Sequence, residues 1–168
     1  MTKKETKRNA FWETDVNGHV KINQHKLIEF FEDGGFRKTV TKKGKCIIRV
    51  TENIVSDAPD HELVDYVKKY LQSINEIDVL EVFSRGVSGY INNGKLSLLK
   101  TVDIPIDRDL KDESWYYFKN TAVKVTINGI QLVKYEDVPH KIWSNRILER
   151  DFKMSDESKS DFESFLYN

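Results

Sequence analysis

The sequence predicts an α+β fold: an antiparallel meander and a basic β-hairpin packed with five to seven helices, in a single domain, with two lobes around 84–101 as the alternative. Three observations carry this prediction. Apolar residues recur at helical spacing in the first half, at Leu63, Tyr66, Val67, Tyr70 and Leu71. From Thr101 the period switches to two, with Val123, Val125 and Ile127 facing one way and Lys124 and Thr126 the other. The whole chain has 168 residues at 39% hydrophobic and 32% charged, enough for one good core or two small ones.

Taken in order, residues 1–10 read as a flexible basic tail, 11–152 as the α+β domain, and 153–168 as a C-terminal helix leading into a further domain. Phe11–Glu13 and His19–Ile22 are short strands around the Asn17-Gly18 turn signal. Asn23 caps a helix with Leu27, Phe30 and Phe31 on one face, stopped at Gly34-Gly35. Phe36–Val40 and Cys46–Val50 form a hairpin, the second run being β-branched. Pro59 suits the first position of a helix reaching about Gln72, and a further helix covers Glu76–Phe83. Ser84–Leu99 fits a helix or a turn. Trp115–Lys119, Ala122–Ile127 and Ile130–Tyr135 form the meander, with Asn128-Gly129 as a type I′ loop that sets the register. Pro139 opens a helix over Lys141–Phe152, with Trp143 and Ile147 on one face. Ser158 to Asp161 resembles a capping box before a last helix whose Phe162, Phe165 and Leu166 share a stripe with nothing yet to face.

Several function classes fall away. No apolar run is long enough to span a bilayer and no charged-then-apolar leader opens the chain, so a cytoplasmic protein without membrane contact is expected. One cysteine, Cys46, excludes an internal disulfide and a thiolate-rich zinc site. The histidines His19, His25, His61 and His140 lack the short paired spacing of zinc helices. Asp107-Arg108-Asp109 has the bare spacing of a magnesium-binding carboxylate pair, but charge and polarity surround it and the solvated acidic loop is the plainer account. No phosphate loop and no nucleophile motif is present, and no metal or other cofactor is expected.

The most suggestive patch is the hairpin. Lys and Arg equal Asp and Glu over the whole chain at 27 each, but residues 1–50 hold 12 cations against 6 anions. Six of those cations, Arg37, Lys38, Lys42, Lys43, Lys45 and Arg49, sit in one ribbon. Such a ribbon can track phosphates without reading bases, or it can be an edge whose lysines block aggregation. Trp115 and Tyr117 are candidates for stacking on bases, against the plainer account that they fill a core.

A set of short strings resembles the segment ahead of the superfamily-three helicase in phage- and plasmid-type primase–helicases. They are Phe11-Trp12-Glu13, then Gly34-Gly35-Phe36-Arg37-Lys38, then Arg49 to Val55 followed by a helix. Arg108-Asp109, Tyr116-Tyr117-Phe118 with Asn120, and Tyr135-Glu136-Asp137 with Trp143 and Ile147 to Phe152 complete the set. The resemblance implies an accessory module of a mobile-element replication protein, holding single- or double-stranded DNA beside its own helicase, with no ATPase or primase motif in this chain. The rival expectation is a protein-interaction module that docks a helicase domain or a neighbouring subunit through Phe162, Phe165 and Leu166 and binds no nucleic acid. A metal-dependent nucleotidyl transferase using Asp107 and Asp109 is the third.

Overall fold

The computed structural model describes residues 10–41, 44–104 and 111–154. The fold is α+β, and the chain divides into two compact units, Met1–Asp107 with His140–Ser144, and Arg108–Pro139 with Asn145–Asn168.

In the first unit, β1 (Trp12–Thr14) and β2 (Val20–Ile22) pair antiparallel. Asp15 organises their turn: its carboxylate accepts from the N–H groups of Asn17 and His19, and Gly18 takes the positive φ of 83° that the reversal needs. The Asn23 side chain caps α1 (Gln24–Asp33) by accepting from Lys26 N–H, as its sequence position predicts. Gly34 and Gly35 then let the chain turn against its neighbours. A Cβ on Gly34 would lie 2.6 Å from the Tyr66 ring, and one on Gly35, at φ +87°, only 2.3 Å from Val50 O.

Strands β3 (Phe36–Thr41), β4 (Gly44–Thr51) and β5 (Ile54–Asp57) follow as an antiparallel meander. Helix α2 (Asp60–Ser73) starts one residue later than expected, with Pro59 as its N-cap. It ends in a Schellman-type turn: Asn75 sits at φ 59° and Glu76 N–H reaches back to Leu71 O at 3.0 Å. Helix α3 (Ile77–Arg85) and two single turns, α4 (Val87–Tyr90) and α5 (Asn93–Leu96), complete the helical layer. Among the described residues only three helices exceed one turn, so the expected five to seven is reached at its lower end and only by counting the short turns.

The core of this unit joins Phe11, Leu27, Phe31, Phe36, Leu63 and Phe83, all at 1% exposure or less. Phe30 lies at its aromatic centre, 4.8 Å from Phe11, 4.7 Å from Tyr70 and 5.1 Å from Tyr66 between ring centroids. Each such side chain contributes roughly 1.5–3 kcal/mol by leaving water.

The second unit holds β6 (Glu113–Phe118), β7 (Thr121–Thr126) and β8 (Gly129–Val133) in that order, antiparallel throughout. The strands match the predicted meander, but the loop differs. Thr126 pairs with Gly129, so Ile127 and Asn128 are the loop residues and Gly129, at φ +118°, closes it. Asn128 does not take the positive φ that a type I′ turn demands. Thr126 Oγ1 accepts from Asn128 N–H at 3.2 Å and holds the alternative turn.

The helix expected over Lys141–Phe152 is not formed. Ile142–Trp143 is instead a short strand, β9, pairing parallel with β5, with Ile142 N–H donating to Asn53 O at 2.8 Å. Ile142 is fully buried there, a gain that outweighs the weak helical stripe of Trp143 and Ile147. Ser144–Arg146 makes only a 3-10 turn, and Leu148 then bridges to Phe118 beside β6. The last predicted helix, with Phe162, Phe165 and Leu166, lies outside the described residues.

Candidate functional site

Strand alternation sorts the basic hairpin into two faces. Phe36, Lys38 and Val40 share one with their partners Arg49, Ile47 and Lys45, while Arg37 points the other way with Thr39 and Cys46. Four of the six predicted phosphate contacts are described, and each meets a main-chain carbonyl near the end of a helix. Arg37 Nη1 donates to Glu32 O at 2.6 Å and Phe36 O at 2.7 Å. Arg49 Nε donates to Gly34 O at 3.1 Å, and its guanidinium lies 5.1 Å from the Phe36 ring and 5.0 Å from Tyr66. Lys38 Nζ donates to Ser97 O, and Lys45 Nζ to Asn93 O at 2.8 Å and Ser97 Oγ at 2.7 Å. Glu32 O and Gly34 O lie at the C-terminal end of α1, where a cation suits the helix dipole, whereas Asn93 O opens the single turn α5 and also accepts from Ser97 N–H at 3.1 Å. Lys42 and Lys43 lie outside the described residues.

Nearby, Glu32 is 8% exposed. Its Oε1 accepts from Lys100 N–H at 2.8 Å and its Oε2 pairs with Lys100 Nζ at 3.0 Å. Burial works to raise the carboxyl pKa, but the Lys100 hydrogen bonds and charge, helped by Arg37, outweigh it and hold the pKa below its ordinary value. An open cleft of about 250 Å³ is lined by Arg49, Lys69, Glu62, Asp65 and Tyr66. Two cations against two anions leave it with no preference for a phosphate.

In the second unit the same alternation decides which aromatics are available. Glu113, Trp115 and Tyr117 share a face with Ala122 and Lys124. Trp115 and Tyr117 are 8% and 4% exposed, so neither ring presents a surface on which a base can stack. Lys124 sits 5.4 Å from the Trp115 ring centre and pairs with Glu113, and Arg146 lies 5.1 Å from Tyr117. The predicted stacking pair is therefore interior, as core filling requires.

The opposite face was not singled out by sequence. It carries Tyr116, Val123, Val125, Ile130 and Leu132, with cross-strand pairs Tyr116–Val123, Val123–Leu132 and Val125–Ile130; Val123, between Tyr116 and Leu132, is itself 2% exposed. Tyr116, Ile130 and Leu132 are 52%, 53% and 57% exposed, and no strand residue on this face is charged. The alternation that buries Trp115 and Tyr117 already puts Tyr116 here; what sequence lacks is how far each residue of the two faces is exposed.

The edges of the sheets differ as well. The β6 edge is closed by Leu148 N–H donating to Tyr117 O at 2.9 Å and Lys119 N–H to Arg150 O at 3.0 Å. The β3 edge is closed by Lys38 N–H to Lys100 O at 3.0 Å and Val102 N–H to Lys38 O at 2.8 Å. The outer edge of β8 has no backbone partner among the described residues.

Among the described residues no cluster of three or more His, Cys, Asp or Glu is placed to hold a metal ion, and no helix is long and apolar enough to cross a membrane. Asp107 and Asp109 lie outside those residues. Compared with known protein families, curated proteins and solved structures, the chain finds no match.

Proposed function

We propose that this chain is a non-catalytic protein-docking module that engages its partner through the β8 edge and the adjoining apolar face of β6, β7 and β8. The observation that carries this reading is the uncharged face on which Tyr116, Ile130 and Leu132 are each more than half exposed, beside a strand edge with no partner among the described residues. Contiguous exposed apolar surface marks interaction sites, and an open edge offers main-chain hydrogen bonds to an extended partner strand. Dye binding tests it. A hydrophobic fluorescent probe brightens on the wild-type protein and several-fold less on the triple variant Tyr116→Lys/Ile130→Lys/Leu132→Lys; no brightening on the wild type overturns the reading.

A second reading is favoured by the surplus of cations over residues 1–50 and by the exposed Lys45 at the hairpin. In it the hairpin contacts the phosphate backbone of DNA without sequence preference, as an accessory module of a mobile-element replication protein. Labelled single-stranded and duplex oligonucleotides, titrated at two salt concentrations, decide it. Steep salt dependence that Lys42→Ala/Lys43→Ala/Lys45→Ala flattens supports it, and no binding at low salt removes it.

A further inference from the structure

We infer that the occupant of the β8 edge is the β8 strand of a second copy of this chain, paired antiparallel about Gln131 to continue the sheet from three strands to six. The inference rests on the docking reading above and names its partner. Three observations carry it.

The first is that, among the described residues, β8 lacks the devices that protect an edge. Gly129-Ile130-Gln131-Leu132-Val133 contains no charge and no proline, whereas the β3 and β6 edges are each closed by hydrogen bonds from another segment of their own unit.

The second is that the strand is near-palindromic in chemistry about its centre. Antiparallel pairing at Gln131 sets Ile130 opposite Leu132 twice, both on the exposed face, and Gln131 opposite Gln131 on the other. Apolar meets apolar, and an amide that both donates and accepts meets its like. This is the self-complementarity that a two-fold interface requires.

The third is charge. At this register Lys134 stands opposite Asn128 and Glu136 opposite Thr126, so no like charges are brought together. Shifting the centre to Leu132 would instead set Ile130 against Lys134. An unrelated extended peptide could also use the edge, but it would have to supply the alternating apolar pattern that β8 already has.

Sedimentation of the full chain over a concentration series tests the proposal, together with disulfide trapping. Opposed Cα atoms in an antiparallel pair lie about 4.5–5.5 Å apart, within the roughly 4.4–6.8 Å that a disulfide spans. In a Cys46→Ser background, Gln131→Cys therefore forms a covalent dimer on mild oxidation. Asn128→Cys does not, because its mate is six strand positions away, roughly 20 Å. Leu132→Lys weakens association about tenfold or more by placing charge in the pair, and its exposed position keeps the fold intact, checked by an unchanged unfolding midpoint. A wild type that stays monomeric, with no Gln131→Cys cross-link, overturns the second copy as occupant. If the hydrophobic probe still binds, docking to another partner survives; if it does not, both fall.

Discussion

Replacing Arg49 separates a structural cation from a phosphate-binding one. Its Nε donates to Gly34 O at 3.1 Å, at the C-terminal end of α1, and its guanidinium lies 5.1 and 5.0 Å from the Phe36 and Tyr66 rings. A hydrogen bond from a charged donor is worth about 1.5 kcal/mol at the low end. Each cation–π contact adds about 0.5–1 kcal/mol at a partly exposed site. Arg49→Ala therefore lowers stability by about 2.5–3.5 kcal/mol. Arg49→Lys recovers less than half of that, because an ammonium keeps the charge but loses the planar stacking and the Nε geometry. Urea unfolding of the three proteins, compared by midpoint at constant m-value, reads the difference. A phosphate clamp predicts the reverse pattern: little change in stability, weaker oligonucleotide binding, and substantial rescue by lysine. A loss under about 0.5 kcal/mol in Arg49→Ala, the range of an ordinary surface substitution, refutes the capping role.

Glu32→Gln is expected to cost about 1–3 kcal/mol near neutral pH, since it removes a charged acceptor from Lys100 in a nearly buried site. The folded-state pKa is held below the ordinary value of 4.5, so the ionised form stabilises the fold fully above 4.5 and that stability is lost as pH falls through the lowered value. The gap between wild type and variant should shrink on acidification, and a gap constant with pH would contradict the ionised pairing. Gly35→Ala and Gly18→Ala place alanine at nearly the same φ, +87° and +83°. Each carries a backbone penalty of about 1–2 kcal/mol. Only Gly35 adds a Cβ 2.3 Å from Val50 O, so its variant should be the less stable by a further 1–3 kcal/mol or so; equal losses by chemical denaturation would show that the close approach does not matter.

Local signals were legible where local chemistry decides. Asn23 caps α1 as its position predicts, the 3.6-residue period of Leu63, Val67 and Leu71 is the buried stripe of α2, and the three meander strands fall where the two-residue period puts them. The failures have a common physical origin in long-range contacts. Ile142 becomes a strand because it meets Ile54, and nothing within ten residues of it records that pairing. The intramolecular partners of two hairpin cations, Ser97 O for Lys38 and Asn93 O with the Ser97 hydroxyl for Lys45, are likewise too distant in sequence to be read from it. Alternation correctly separates Trp115 and Tyr117 from Tyr116, yet parity cannot tell which residues of either side are buried. The Asn128-Gly129 pair marks the right turn, but Thr126 closes it one residue earlier than a type I′ loop would.

Sedimentation velocity of the full chain mixed with a fluorescent single-stranded oligonucleotide at low salt sets the two surfaces against each other in one cell. The β8 edge as the working surface predicts a protein boundary that shifts to the dimer with rising concentration, while the oligonucleotide sediments alone. A monomeric protein that carries the oligonucleotide with it, and releases it when Lys45 is replaced by alanine, would contradict that account and return the function to the basic hairpin.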